Sequence, residues 1–233
     1  MLIDMHAHSS GISRCCRIPY EKVIDCALKV GLDGIILTNH YDKSYVDDGD
    51  FSAFARRYTD EFRRARAYGE AVGCSVFFGA EVTMARHDGT HMLLYGIEEG
   101  FIEKNPCIFD LTEEELYRLV KSVGGAMVQA HPFRGKGYLL DVRFLDGVEV
   151  NCHPLYGKSD FADMLKIAEE NRLILTCGGD YHADTYRPKC GVYLPDDLNS
   201  GVDIGRYLLS AERLKLCIHE PNTEKPEDFL YLR

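Results

Sequence analysis

Runs of four to six mostly apolar residues recur along the chain: Leu2 to Met5, Gly34 to Thr38, Ser75 to Ala80, His91 to Gly96, Ala126 to Ala130, Gly147 to Val150 and Leu173 to Cys177. Successive rather than alternate positions are apolar, the pattern of strands covered on both faces. Between most of these seven expected strands the apolar period lengthens to that of a helix. Pro19 can open one whose Val23, Ala27 and Leu28 share a face before Gly31 stops it. Thr112-Glu113-Glu114-Glu115 reads as a capping box ahead of Leu116, Leu119, Val120 and Val123, and Phe161, Met164, Leu165 and Ala168 repeat the spacing. Leu198 to Arg213 reads as a closing helix and Leu214 to Ile218 as a short last strand. Strand alternating with helix predicts an α/β fold whose parallel sheet is covered by helices.

The polar residues that break this pattern gather at strand ends. His6 and His8 close the first strand, His40 follows the second, Glu81 the third, His131 the fifth, and Asp180 and His182 the seventh. Side chains at i and i+2 of a strand share a face, so His6 and His8 can grip one ion together, as can Asp180 and His182. If the sheet closes into a barrel, the C-terminal ends of its strands meet at one mouth, where the active sites of such folds lie. His91 begins its strand, so this element either runs differently or enters the mouth from the opposite direction. Asp4 shares the parity of His6 and His8 and is expected to orient a ligand or anchor the interior.

Composition narrows the class. A chain of 233 residues, 45% hydrophobic and 27% charged, suits a single globular domain over residues 1–233. No apolar run reaches the roughly 18 residues needed to span a bilayer. Met1 leads straight into a strand, so a cytoplasmic location is expected, and nine cysteines without a C-x-x-C pair fit reduced thiols. The net charge of −10 disfavours nucleic acid as a partner, as does the acidic run Asp42, Asp47, Asp48 and Asp50. Arg56, Arg57, Arg63, Arg64 and Arg66 are interleaved with Asp60 and Glu61 and predict a solvated helix face instead. A small substrate is favoured, and a phosphate ester is compatible with the acidity because clustered cations would dominate the local field.

Imidazole and carboxylate donors with no obligatory thiolate suit zinc, manganese or iron, and a carboxylate such as Glu81 can bridge two cations. Two ions roughly 3.5 to 4 Å apart can activate a water and clamp the oxygens of an in-line displacement, for which phosphoester cleavage is the natural use. Six motifs in order carry a resemblance over nearly the whole chain: Asp4-Met5-His6-Ala7-His8, Thr38-Asn39-His40, Gly79-Ala80-Glu81, His91-Met92-Leu93-Leu94-Tyr95-Gly96, Ala130-His131-Pro132-Phe133-Arg134 and Gly179-Asp180-Tyr181-His182. Through them the chain resembles the PHP family, named for polymerase and histidinol phosphatase.

The resemblance implies a distorted seven-stranded (β/α)7 TIM-like barrel and metal-dependent hydrolysis of a phosphoester. It further implies that His6, His8, Glu81 and Asp180 hold a first metal, Glu81, His91 and His131 a second, and His40 and His182 face a third. Two or three divalent ions are thus expected. A hydroxide bridging the first two would attack phosphorus, Arg134 and Arg14 would neutralise phosphoryl charge, and Asp180 or His182 would protonate the leaving group. The chain departs from the pattern at Arg14, with Cys15 and Cys16 beside it, where trinuclear members resemble one another in a further histidine. It departs again at Asn39, where an acidic residue is common. The expected substrate is a small phosphomonoester such as histidinol phosphate, a sugar phosphate or a nucleotide. The rival readings are an exonuclease-type phosphodiesterase, an amidohydrolase, which also begins with His-x-His, and a metal-stabilised binding or regulatory module without turnover.

Overall fold

In the computed structural model, which describes residues 1–87, 89–135, 137–154, 160–183 and 187–233, these patterns resolve into twelve strands and six α-helices. In chain order they are β1 (Leu2–Ala7), α1 (Tyr20–Lys29), β2 (Gly34–Leu37), β3 (His40–Tyr41), α2 (Phe51–Val72), β4 (Ser75–Phe78), β5 (Ala80–Thr83), β6 (His91–Tyr95), α3 (Glu99–Lys104), α4 (Glu113–Ser122), β7 (Ala126–Ala130), β8 (Gly147–Asn151), α5 (Phe161–Asn171), β9 (Ile174–Gly178), β10 (Gly191–Tyr193), α6 (Gly201–Ser210), β11 (Arg213–Ile218) and β12 (Glu227–Leu232). No described helix is long and apolar enough to cross a membrane.

Hydrogen bonding joins the strands into two six-stranded sheets, ordered β12-β11-β10-β1-β2-β4 and β3-β5-β6-β7-β8-β9, and not into the seven strands of the distorted barrel that the resemblance implied. Two expected strands are each broken in two. The chain leaves the first sheet for the second after β2, across Thr38-Asn39, and again after β4, at Gly79. Both crossings are tight. A Cβ on Gly79 would lie 2.7 Å from Ile36 Cγ2. The Tyr58 hydroxyl of α2 lies 2.7 Å from Asn39 O and 3.1 Å from Gly79 O, so one side chain ties both crossings together.

β6 runs against its neighbours, pairing antiparallel with both β5 and β7. Thr83 at the end of β5 therefore stands opposite His91 at the start of β6, and the histidine reaches the mouth from the reverse direction, as its position requires. Between β9 and β1 no ladder runs among the described residues. They meet at one parallel bridge, Ala7 with Tyr181, and at the Asp180 N–H donated to His6 O over 2.9 Å. Nearer the start of β1 the neighbour is β10, antiparallel, with Leu2 opposite Tyr193.

The helices cover the sheets with narrow apolar faces. On α2, Asp50 caps the N-terminus by accepting from Ala53 N, and Gly73 ends the helix in the left-handed conformation. Phe54 and Phe62 are almost fully buried, and each contributes about 1.5–3 kcal/mol by leaving water. The opposite face is solvated: Arg63 and Arg66 pair with Glu99, Arg57 with Asp47 and Arg64 with Glu61. Thr112 and Glu115 complete the expected capping box of α4.

Candidate metal centre

At the ends of β1 and β9 and the start of β5 the structure brings together the residues that the sequence places far apart. Glu81 is fully buried and is the hub. Its Oε2 lies 3.3 Å from His6 Nε2, 3.3 Å from His8 Nε2 and 2.8 Å from His40 Nδ1, while its Oε1 lies 2.8 Å from His91 Nδ1 and 3.0 Å from His131 Nε2. Asp180 Oδ1 closes the other side, 3.5 Å from His6 Nε2, 3.1 Å from His8 Nε2 and 3.3 Å from His182 Nδ1.

Several of these contacts are close without being hydrogen bonds. His6 Nε2, His8 Nε2, His40 Nδ1, Glu81 Oε2, His131 Nδ1 and Asp180 Oδ1 are buried and have no hydrogen-bond partner. A buried polar atom left this way costs about 1–3 kcal/mol, and six together are not a packing accident. Zinc bonds nitrogen and oxygen at about 2.0–2.2 Å, so neighbouring donors around such an ion stand roughly 3.3 Å apart. The donor separations among His6, His8, Glu81 and Asp180, 3.1–3.5 Å, match that edge length. The residues fit a divalent cation.

Other donor groups lie within 4.8 Å of one another: His40, Glu81 and His91; His6, His131 and Glu149; and His8, His40 and His182. His40 belongs to two of them, so the structure does not confine it to a third position. Beside the last group stands Cys15, whose thiol hydrogen-bonds to the His182 and His40 rings. Burial alone would raise its pKa, but these two partners bring it down to about 6.

Hydrogen bonds behind the ligands fix which ring nitrogen faces inward. His6 Nδ1 donates to Glu149 Oε1 over 2.8 Å, with both groups fully buried, which leaves Nε2 bare. Ser13 does the same for His8. Its hydroxyl accepts from His40 N at 3.0 Å and gives its one proton to Asn39 Oδ1 at 2.9 Å, so at 3.1 Å it accepts from His8 Nδ1. Asn39 also accepts from Ser9 N at 2.7 Å, the work of an acceptor that an acidic residue would do, and it donates to Ser9 Oγ at 3.0 Å. The Asp4 carboxylate accepts from His6 N at 3.0 Å, Gly179 N at 2.9 Å and Arg187 Nη2 at 2.6 Å, anchoring both ligand-bearing segments to a buried cation.

Two of these residues sit in strained backbone. His131 has φ +31° and Asp180 φ +47°, in the left-handed region that L side chains seldom occupy outside functional sites. Gly178 is required beside them, because a Cβ there would come within 2.4 Å of His6 Cβ and 2.7 Å of Glu149 Oε1.

Charge sets the titration of the cluster. Burial opposes charging His40, yet Glu81 overrides it and pushes its pKa up to about 10. For His131 burial wins, pulling it to about 4. Glu81 and Asp180 resist burial because imidazoles surround them and remain well below the usual carboxylate range.

Of the two arginines expected at phosphate, Arg134 borders the cluster, donating through Nη1 to Asp180 Oδ2. Arg14 is not brought in. Its half-exposed guanidinium donates to Ser44 O at 3.0 Å, Tyr45 O at 3.2 Å and Asp47 Oδ1 at 2.8 Å, none of which belongs to the cluster. Glu149 and Ser13 are site residues that the sequence reading missed. The signal for Glu149 was a lone acid inside the apolar run Gly147 to Val150.

No protein-family model matches the chain, and no curated protein sequence does. Solved structures do. A protein assigned as a metal-dependent phosphoesterase from Bifidobacterium adolescentis superposes with a TM-score of 0.57 at 18% identity, over 87% of this chain and 93% of its own. A two-domain protein from Bacteroides vulgatus, containing a predicted PHP-like metal-dependent phosphoesterase, superposes with a TM-score of 0.64 at 17% identity, over 94% of this chain and 65% of its own. An amidohydrolase from Chromobacterium violaceum with bound sulfate gives a TM-score of 0.59 at 18% identity, over 89% and 96%. The chain is therefore similar in fold to these phosphoesterase and amidohydrolase structures.

Proposed function

We propose that this chain is a PHP-type metal-dependent phosphoesterase that hydrolyses a small phosphomonoester, such as histidinol phosphate, a sugar phosphate or a nucleotide. One observation carries the reading: the unpartnered nitrogen and oxygen atoms of His6, His8, Glu81 and Asp180 stand 3.1–3.5 Å apart, at the spacing of donors around one cation. Zinc, manganese or iron suits this donor set. Two or three such ions would supply Lewis acidity and bring the pKa of a water toward neutrality.

The protein's own residues do the rest. Glu81 turns one oxygen to His6, His8 and His40 and the other to His91 and His131, so it can serve two cations at once. Glu149 and Ser13 hold the Nδ1 protons of His6 and His8 and keep Nε2 available to a metal. Arg134, with 21% of its side chain exposed against buried Asp180, is positioned to donate to phosphoryl oxygens. For the proton that the leaving alkoxide takes, His182 is supported over Asp180. Burial opposes the charge on each, but His6, His8, His182 and Arg134 keep Asp180 ionised, while Cys15 and Asp180 keep the His182 proton on. We assign Arg14 to the loop that carries Asp47. The net charge of −10 supports a small substrate over a polynucleotide.

The test is metal analysis of the purified chain together with assays on phosphomonoesters, a single-stranded oligonucleotide and an N-acyl amide. The expected result is bound divalent metal, turnover of monoesters alone, and loss of both in Glu81→Gln and His131→Ala. Full retention of metal and turnover in both variants refutes the reading. Cleavage of the oligonucleotide alone would make the chain an exonuclease, cleavage of the amide alone an amidohydrolase, and bound metal without turnover a binding module.

A further inference from the structure

On the outer side of β8 and β9, away from the histidine cluster, three thiols converge. Cys152 follows β8, Cys177 lies in β9 and Cys190 precedes β10, and each is at most 2% exposed. Their sulfurs all lie within 4.8 Å of one another, and Cys152 Sγ to Cys177 Sγ is 3.5 Å. Three cysteines from three elements would serve a hydrophobic core without their sulfurs meeting. Around a cation with metal–sulfur bonds of about 2.3 Å, neighbouring sulfurs stand roughly 3.8–4.0 Å apart, so the trio is already near the spacing of ligands.

We propose that Cys152, Cys177 and Cys190 form a second metal site, separate from the histidine cluster, that takes one thiophilic divalent cation such as zinc. Two further observations support it. Cys152 lines a cavity of about 270 Å³ with Pro154, His219, Glu220, Pro221, Asn222 and Thr223, which gives the ion a route in and leaves room for a water as fourth ligand. Among the described residues no histidine, carboxylate or further cysteine joins the three sulfurs, so three protein ligands and an open position is the geometry on offer.

The placement gives the ion a purpose. Cys177 and Cys190 flank the segment that carries Asp180 and His182, and Cys152 ends the neighbouring strand. A cation on the three sulfurs would clip the two feet of that segment together and fasten β8 and β9 in one sheet to the approach to β10 in the other. Binding expels the thiol protons to solvent, with no change of oxidation state.

Cadmium is the probe, because thiolate-to-cadmium charge transfer absorbs in the ultraviolet whereas imidazole and carboxylate ligands give no such band. The reduced full chain, titrated with cadmium, should develop the band with one equivalent per chain. The band should vanish in Cys152→Ser and Cys190→Ser, and persist in Cys15→Ala, which removes the thiol beside His40 and His182. No band in the unaltered, folded chain overturns the proposal, whatever the variants do. So does a band that survives Cys190→Ser in a protein of unchanged circular dichroism, or one that disappears in Cys15→Ala. Because the readout is a sulfur signal, it stands or falls independently of phosphoesterase activity.

Discussion

Replacing Glu149 by Gln tests whether metal affinity is set behind the ligands as well as by them. Glu149 and His6 are fully buried, and the bond between them is 2.8 Å long. A hydrogen bond to a charged group contributes about 1.5–3 kcal/mol, and an affinity changes tenfold per 1.4 kcal/mol, so removing the charge should weaken metal binding roughly 10- to 100-fold. Glutamine cannot recover the loss by rotating. The second carboxylate oxygen accepts from His131 N and Asn151 Nδ2, both at 3.3 Å. An amide that turns its oxygen to His6 points its NH2 at those two donors, and one that turns the other way points it at the His6 Nδ1 proton. The assay is competition with a chromophoric chelator at fixed pH, alongside circular dichroism to verify the fold. Unchanged affinity in a folded Glu149→Gln protein would show that His6 does not bind metal through a nitrogen this carboxylate orients.

Metal binding should release protons at neutral pH. His6, opposed by burial but held up by Glu149, Glu81 and Asp180, and His40, pushed up to about 10, are both protonated there without metal, so affinity must rise with pH as those protons leave. Calorimetry in two buffers of different ionisation enthalpy reads the number, and zero would contradict the assignment. Arg187→Met should cost the metal-free protein about 3–5 kcal/mol of unfolding free energy in urea, because it strands the buried Asp4 carboxylate; an unchanged midpoint would remove Asp4 from its anchoring role. Gly178→Ala should cost about 1–3 kcal/mol by overpacking against His6 and should lower metal content at the same time, which thermal melts and metal analysis can check together.

Much of the site could be read from residue order because strand parity and strand ends are local properties. His6 and His8 share a face in any strand, and a buried parallel strand delivers its last residues to one rim whatever its neighbours are. What could not be read depends on pairing. Nothing local marks Thr38-Asn39 or Gly79 as points where the chain changes sheets, because a one- or two-residue break leaves the apolar run intact. The reversal of β6 was legible only as the misfit of His91. At the C-terminal end, β11 was expected but β10 and β12 were not. β10 is three residues long, and in β12 Tyr231 is buried whereas Leu230 and Leu232 are 55% and 67% exposed, so apolarity there does not mark the core face. Arg14 misled because it stands two positions from the Ser9 to Ile12 turn, where a difference of one residue decides between the cluster and the rim. The neighbouring Cys15, though exposed, lies beside His40 and His182, whereas Arg14 turns to Ser44, Tyr45 and Asp47.

The meeting of β9 and β1 is the thinnest joint in this architecture. Neighbouring strands elsewhere are fastened by ladder pairs, but among the described residues this closure rests on one bridge, the Asp180 N–H to His6 O bond and the Gly179 N–H to Asp4 carboxylate bond. His6 and His8 form one lip of that joint and Asp180 the other. Parting the lips by an ångström or so would disassemble the donor set while leaving both sheets whole, so an ion held there would escape through the breathing of a seam without global unfolding.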